Sequence, residues 1–146
     1  MKISIQTDDT KNEIEIQIIC NQLTQEVEKI IETLRILGQQ LTGSMDGETF
    51  ILDISDVLYI ETVDKKTFIY TETGEYESSL KLYELQQKLE EASFIRVGKS
   101  IILNMKHIKS LKTDLNRRIR VTIENGEQVI VSRQYAEQLK KRLGIK

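Results

Sequence analysis

The chain has 146 residues, 39% hydrophobic and 30% charged, with a formal net charge of -2. It reads as one soluble domain with at most a small appendage, since no apolar run approaches the roughly 20 residues of a membrane span and the opening MKISIQTDD lacks the apolar middle of a signal peptide; a cytoplasmic protein is expected. The lone Cys20 excludes an internal disulfide and, with no His or second Cys nearby, a zinc site, so it is expected to be a small buried hydrophobe.

In chain order, KISIQT and EIEIQII alternate apolar and polar residues at the strand period, and the segment from Leu23 to Leu37 puts Val27, Ile30, Ile31 and Leu34 on one helical face. Residues 1–40 are therefore expected to form a small β-β-α segment. GQQLTGSMDGE then gathers Gly, Ser and Asp and predicts a linker or long loop, with a second domain over residues 45–146. TFILDI, VLYIET, KTFIYTET and EYES predict a meander of short strands, with turns at Asp64-Lys65 and Thr73-Gly74. A helix over about 80–92 carries the stripe Leu82, Leu85 and Leu89, with Ser79 as its N-cap. Strands resume in FIRVG, SIILN, HIKSLKT, RRIRVTI and QVIVS, the last two joined through Asn125-Gly126, a strong hairpin signal. Ser132 then caps a closing helix with Tyr135, Ala136, Leu139 and Leu143 inward.

Enzyme constellations are missing from this order: no glycine-rich phosphate loop, nucleophile elbow or metal-binding run is present. His107 lies inside an expected strand with no Ser or Cys at motif spacing, so a partly buried structural imidazole is the better reading. Carboxylates such as Asp53 and Asp56 read as solvated surface. Charge is more informative. Residues 1–93 hold 8 Lys and Arg against 19 Asp and Glu, whereas residues 94–146 hold 13 against 4. Such asymmetry suits an anionic partner for a limited surface, or equally two halves that face each other. Helix-turn-helix spacing and aromatic RNA-binding runs are both absent, so a DNA reader would have to act from loops at strand ends.

Several ordered pieces of residues 45–144 resemble the LytTR DNA-binding domains of bacterial transcription regulators. DVLYIE at 56–61 resembles the family's opening strand, and Leu82, Tyr83, Glu84, Leu85 and Leu89 its amphipathic helix. FIRVGKSIILN at 94–104, followed by Ile108, resembles the family's signature, a Phe-x-Arg-x-x-x-Ser stretch running into apolar residues and Asn. Asn125-Gly126 and then VIVSR at 129–133 complete the pattern. The resemblance implies an α+β class, a β-rich elongated fold with two helices that inserts side chains from inter-strand loops, and from the start of its last helix, into successive major grooves. It implies DNA contacts at Lys65, Lys66, Thr67, Arg96, Lys99, Ser100, Ser132 and Arg133. Family members often carry a basic or His side chain where Thr67 stands, which makes Lys65 and Lys66 the safer candidates there. Arg117, Arg118 and Arg120 read as solvated charges suited to phosphate steering.

About 40 residues precede the domain, too few for a receiver domain. Dimerisation through residues 1–37 would cover their edges and pair two DNA half-sites. The expectation is a transcription regulator binding double-stranded DNA as a homodimer, with no cofactor, metal, small-molecule substrate or membrane insertion. The alternative is a protein-interaction or antiactivator module of the same fold without DNA binding.

Overall fold

Between Gln40 and Val131 each run of alternating residues finds a neighbour, and in the computed structural model, which describes residues 1–145, these runs form two antiparallel sheets. Helix α1 (Gln25–Leu37) leads in, started by the Thr24 hydroxyl accepting from the Val27 N–H at 3.3 Å. Strands β1 (Gln40–Met45) and β2 (Glu48–Asp53) follow as a hairpin. Its turn is Asp46-Gly47, with φ +52° and +79°, the twist that matches two right-twisted strands. This overturns the expected linker. Gly43 signals close approach here instead of a loop: a Cβ on it would lie 2.6 Å from the Cβ of Tyr76, so only glycine fits.

Strands β3 (Val57–Val63), β4 (Lys66–Thr71) and β5 (Gly74–Ser78) continue the meander, helix α2 (Leu82–Lys88) interrupts it, and β6 (Phe94–Gly98) and β7 (Ile101–Asn104) return. Together they make a seven-stranded sheet in the order β2-β1-β5-β4-β3-β7-β6. Strands β8 (Ile108–Thr113), β9 (Ile119–Ile123) and β10 (Gln128–Val131) form a second sheet in the order β10-β9-β8, and α3 (Arg133–Leu143) closes the chain.

The two faces of the large sheet divide the core, with a β-bulge between Val57 and Tyr59 shifting the alternation at the start of β3. Val57, Ile60, Ile69 and Ile102 face one way, covered by Ile36 of α1 and by Leu82, Leu85 and Leu89 in and just after α2. Tyr59, Ile95, Val97 and Leu103 face the other way, against Ile119, Val121 and Val131 of the small sheet and Ala136 and Leu139 of α3. Each fully buried aliphatic side chain contributes about 1.5–3 kcal/mol, so the large sheet is held from both sides. The expected β-rich α+β fold with two helices in this domain is the observed one.

Four further local expectations fail. Helix α2 starts later than expected, because the Ser78 hydroxyl accepts from the Leu80 N–H at 3.1 Å and holds that stretch as a turn; Lys81 is the N-cap, its N–H on the Glu84 carboxylate at 3.1 Å. The β4–β5 turn falls on Glu72-Thr73, one residue early. Of the expected β-β-α segment only α1 forms. Residues 1–24 contain no strand, and Ile3, Ile5, Ile14, Ile16 and Ile19 stand exposed on either side of a turn closed by the Lys11 N–H on the Asp8 carbonyl at 3.2 Å. A strand is half of a ladder, and among the described residues this arm has no pairing partner. Cys20, expected to be buried, is exposed on the arm.

Candidate nucleic-acid interface

Strand register gathers the predicted contact residues at one end of the molecule. Val63 pairs with Lys66, so Asp64-Lys65 is the β3–β4 turn, both residues left-handed at φ +51° and +67°. Glu61 pairs with Ile101, and one step further the Thr62 N–H donates to the Ser100 carbonyl at 2.8 Å, which sets the β6–β7 turn, Lys99-Ser100, beside the first. Two strand steps separate the turns, about 10 Å. The Ser132 N–H donates to the Val97 carbonyl at 3.2 Å, bringing the start of α3 to the same end. Val131 pairs with Ile119 and Ile119 with Thr113, so the β8–β9 tip, Asp114 to Arg118, ends there too.

Lys65, Lys66, Lys99, Ser100 and Arg133 are exposed at this end and Ser132 is half-buried. Among the described residues the ion pairs are Lys11 with Glu15, His107 with Glu124, and Arg118 with Asp114, so Lys65, Lys66, Lys99 and Arg133 are uncommitted. Helix α3 begins with no side-chain cap on its N-cap Ser132 and no acidic residue in its first turn, leaving its first N–H groups and the positive end of its dipole available to an anion.

Two of the eight predicted contacts have other tasks. Thr67 is only 5% exposed, enclosed between Thr62 and Ser78 across the ladder, so its side chain does not reach the surface. Arg96 is turned back along its own hairpin: its Nε donates to the Gly98 carbonyl at 2.6 Å, one terminal nitrogen to the Lys99 carbonyl, and the other to the Gln86 side chain at 2.8 Å. With the Thr62 N–H on Ser100, the carbonyls of residues 98–100 are all bound from within the protein. The turn is thereby fixed with the Lys99 side chain outward.

Asn104, the last residue of the signature-like stretch, is fully buried. Its amide donates to the Val57 carbonyl at 2.8 Å and its oxygen accepts from the Ser93 hydroxyl at 2.6 Å and the Lys106 N–H at 3.1 Å. It pins β7 to the start of β3, a structural duty that the residue type alone does not announce.

The opposite end is built differently. His107 is held between the Glu124 carboxylate, 2.9 Å from Nδ1, and the Ser55 carbonyl, 2.5 Å from Nε2. Burial lowers its pKa, but the hydrogen bonds to Glu124 and Ser55 and the Glu124 charge prevail, and the net shift is upward. Tyr59 donates to Glu127 at 2.7 Å and stacks on Tyr70 at 4.4 Å between ring centroids. Burial first, then the bond to Glu127, raises its hydroxyl pKa. The bonds of His107 with Ser55 and Glu124 and of Tyr59 with Glu127 join the two sheets.

Comparison with known proteins agrees with this geometry. Residues 47–144 match the family model described as the LytTr DNA-binding domain. An HTH-type transcriptional regulator of Staphylococcus aureus strain NCTC 8325 is 30% identical, and one from the bovine strain RF122 is 31% identical, each alignment covering 99% of both chains. Among solved structures, the LytTr DNA-binding domain of a Bacillus cereus protein described as a methyl-accepting/DNA response regulator superposes with a TM-score of 0.70 at 33% identity, covering 73% of this chain and 98% of that one. Despite the label of the staphylococcal relatives, α2 and α3 of this chain are separated by β6 to β10 and form no helix-turn-helix.

Proposed function

The chain belongs to the LytTr DNA-binding domain family and is a bacterial DNA-binding transcription regulator; from that premise we propose that it reads duplex DNA with the basic end of its sheets, in the cytoplasm and as a homodimer on paired half-sites. The observation that carries this reading is the row of unpaired cations on Lys65, Lys66, Lys99 and Arg133, aligned by strand register at one end. Cations left free at a protein's edge find counter-charge in phosphate, and the release of condensed counterions favours the complex.

Each side chain has a task that fits its chemistry. Lys65 and Lys66 are compact charges on a rigid turn and contact phosphate. Arg133, at the first position of α3, offers two parallel donors that match guanine O6 and N7 in a major groove, while Ser132 and the free N–H groups behind it take the adjoining phosphate. Lys99 and Ser100 reach the duplex from the turn that Arg96 braces. Arg96 acts through that turn as a positioning residue. Successive major grooves are served by the turns and by the helix start.

Dimerisation is supported by the arm. Its alternating isoleucines are exposed and, outside the Asp8–Lys11 turn, its backbone joins no ladder, and a second copy offers identical segments with which to build one.

Selection of bound duplexes from a random pool, followed by affinity measurements across salt concentrations, tests the reading. Enrichment of a repeated motif and a steep log-log fall of affinity with salt are expected. A flat salt response would sink it. Sedimentation of the full chain and of a chain lacking residues 1–24 tests the dimer, which only the full chain should form.

A further inference from the structure

Beyond the three proposed contact elements, the β8–β9 hairpin carries a basic surface that none of them uses. Lys112 and Arg120 are direct cross-strand partners on the exposed face of the small sheet, and the next neighbour of Arg120 in that row is Ile130. Like charges directly opposite each other destabilise a sheet. No carboxylate relieves this pair among the described residues, where the only hairpin ion pair is Arg118 with Asp114. The adjoining row, Ser110, Thr122 and Gln128, carries no charge.

The tip is shaped to push one cation outward. The Asp114 carboxylate accepts from the Asn116 N–H at 2.8 Å, the Arg118 N–H at 3.0 Å and the Arg118 Nε at 3.2 Å, and the Asp114 N–H donates to the Arg118 carbonyl at 2.9 Å. Asp114 and Arg118 thus lock the loop against each other. Arg117 between them sits at φ +66°, exposed, in a region that non-glycine residues seldom occupy and that often marks a functional position.

Since Val131, Ile119 and Thr113 are in register, this tip lies beside Arg133 and extends the row of turns past it. We propose that Arg117, Lys112 and Arg120 form a fourth DNA-contacting element, a phosphate clamp on the backbone flanking the base-reading turns. It rests on the DNA-binding reading and lengthens the footprint of each protomer on one side. A phosphodiester between Lys112 and Arg120 would turn their mutual repulsion into shared attraction, and Arg117 would hold the neighbouring phosphate without reading sequence.

The test uses the full chain, a duplex enriched from a random pool and a scrambled duplex of the same length. Arg117→Ala should lower the slope of log affinity against log salt by about 0.9, and Lys112→Ala with Arg120→Ala by about 1.8, on both duplexes. Affinity should fall about tenfold per lost charge-assisted contact, and hydroxyl-radical protection should shorten at one flank of each half-site. Arg117→Lys should restore the slope. If the wild-type slope is steep and these variants match it, the clamp is overturned while DNA binding stands, and the surface, with exposed Leu115 at the tip, is left to a protein partner. If the wild-type slope itself is flat, the underlying DNA reading fails instead.

Discussion

The two ends of this molecule are made of the same material, turns between antiparallel strands, and treat their polar groups in opposite ways. At the end bearing His107, polar side chains satisfy one another: His107 bridges Ser55 and Glu124, Tyr59 reaches Glu127, and Asp53 accepts from the Ser55 N–H and hydroxyl. At the end bearing Arg133, backbone carbonyls are satisfied from within by Arg96 and Thr62, while Lys65, Lys66, Lys99 and Arg133 are left outward and unpaired. The difference separates holding the fold from meeting a ligand. One end joins two sheets, and the other keeps its charges free at the cost of mild mutual repulsion.

The largest expected effect breaks both ends at once. Leu139 is fully buried between α3 and the sheets, so Leu139→Ala should cost about 2–5 kcal/mol in chemical denaturation and weaken DNA binding with it, because α3 no longer seats Arg133.

Arg133→Ala should separate the ends. A loss of roughly 1–3 kcal/mol in affinity for the selected duplex, with relaxed preference at one base position, is expected, while the unfolding midpoint stays within the scatter of a surface substitution. An equal fall in both would mean that this end is not reserved for recognition.

The opposite end should respond to pH. His107 has a raised pKa in the folded state, so the folded chain prefers the protonated ring. Its contribution is complete below the unfolded pKa and is lost as pH rises through the folded one. Glu124→Gln should flatten that dependence and cost about 1 kcal/mol at acidic pH, with DNA affinity per folded molecule unchanged. A pH dependence that survives in Glu124→Gln would exclude His107 and Glu124 as its source.

The smallest effect belongs to the arm. Ile16→Ser should change the stability of the isolated chain by no more than about 0.5 kcal/mol, since Ile16 is 61% exposed, yet it should shift sedimentation toward the monomer. A large destabilisation of dilute protein would show that the arm packs on its own domain.

Alternation and turn chemistry by themselves placed every strand from Glu48 to Val131 and the closing helix, because a period of two and an Asn-Gly pair are local properties that need no knowledge of neighbours. The resemblance to the LytTR family, and not the pattern alone, pointed to Lys65, Lys66, Lys99 and Arg133, which fall at breaks between apolar runs. What the tertiary structure decided is which of these residues has company. Gly43 looked like a loop residue until Tyr76 was seen across the sheet. Thr67 and Arg96 looked outward until their neighbours enclosed the one and the β6–β7 carbonyls captured the other. The isoleucines of the arm carry the same alternation as β9, but β9 lies between β8 and β10 and the arm joins no ladder among the described residues. Period records which way a side chain points; a ladder, a cavity or a hydrogen bond needs a second segment, and that segment is brought into place by the fold as a whole.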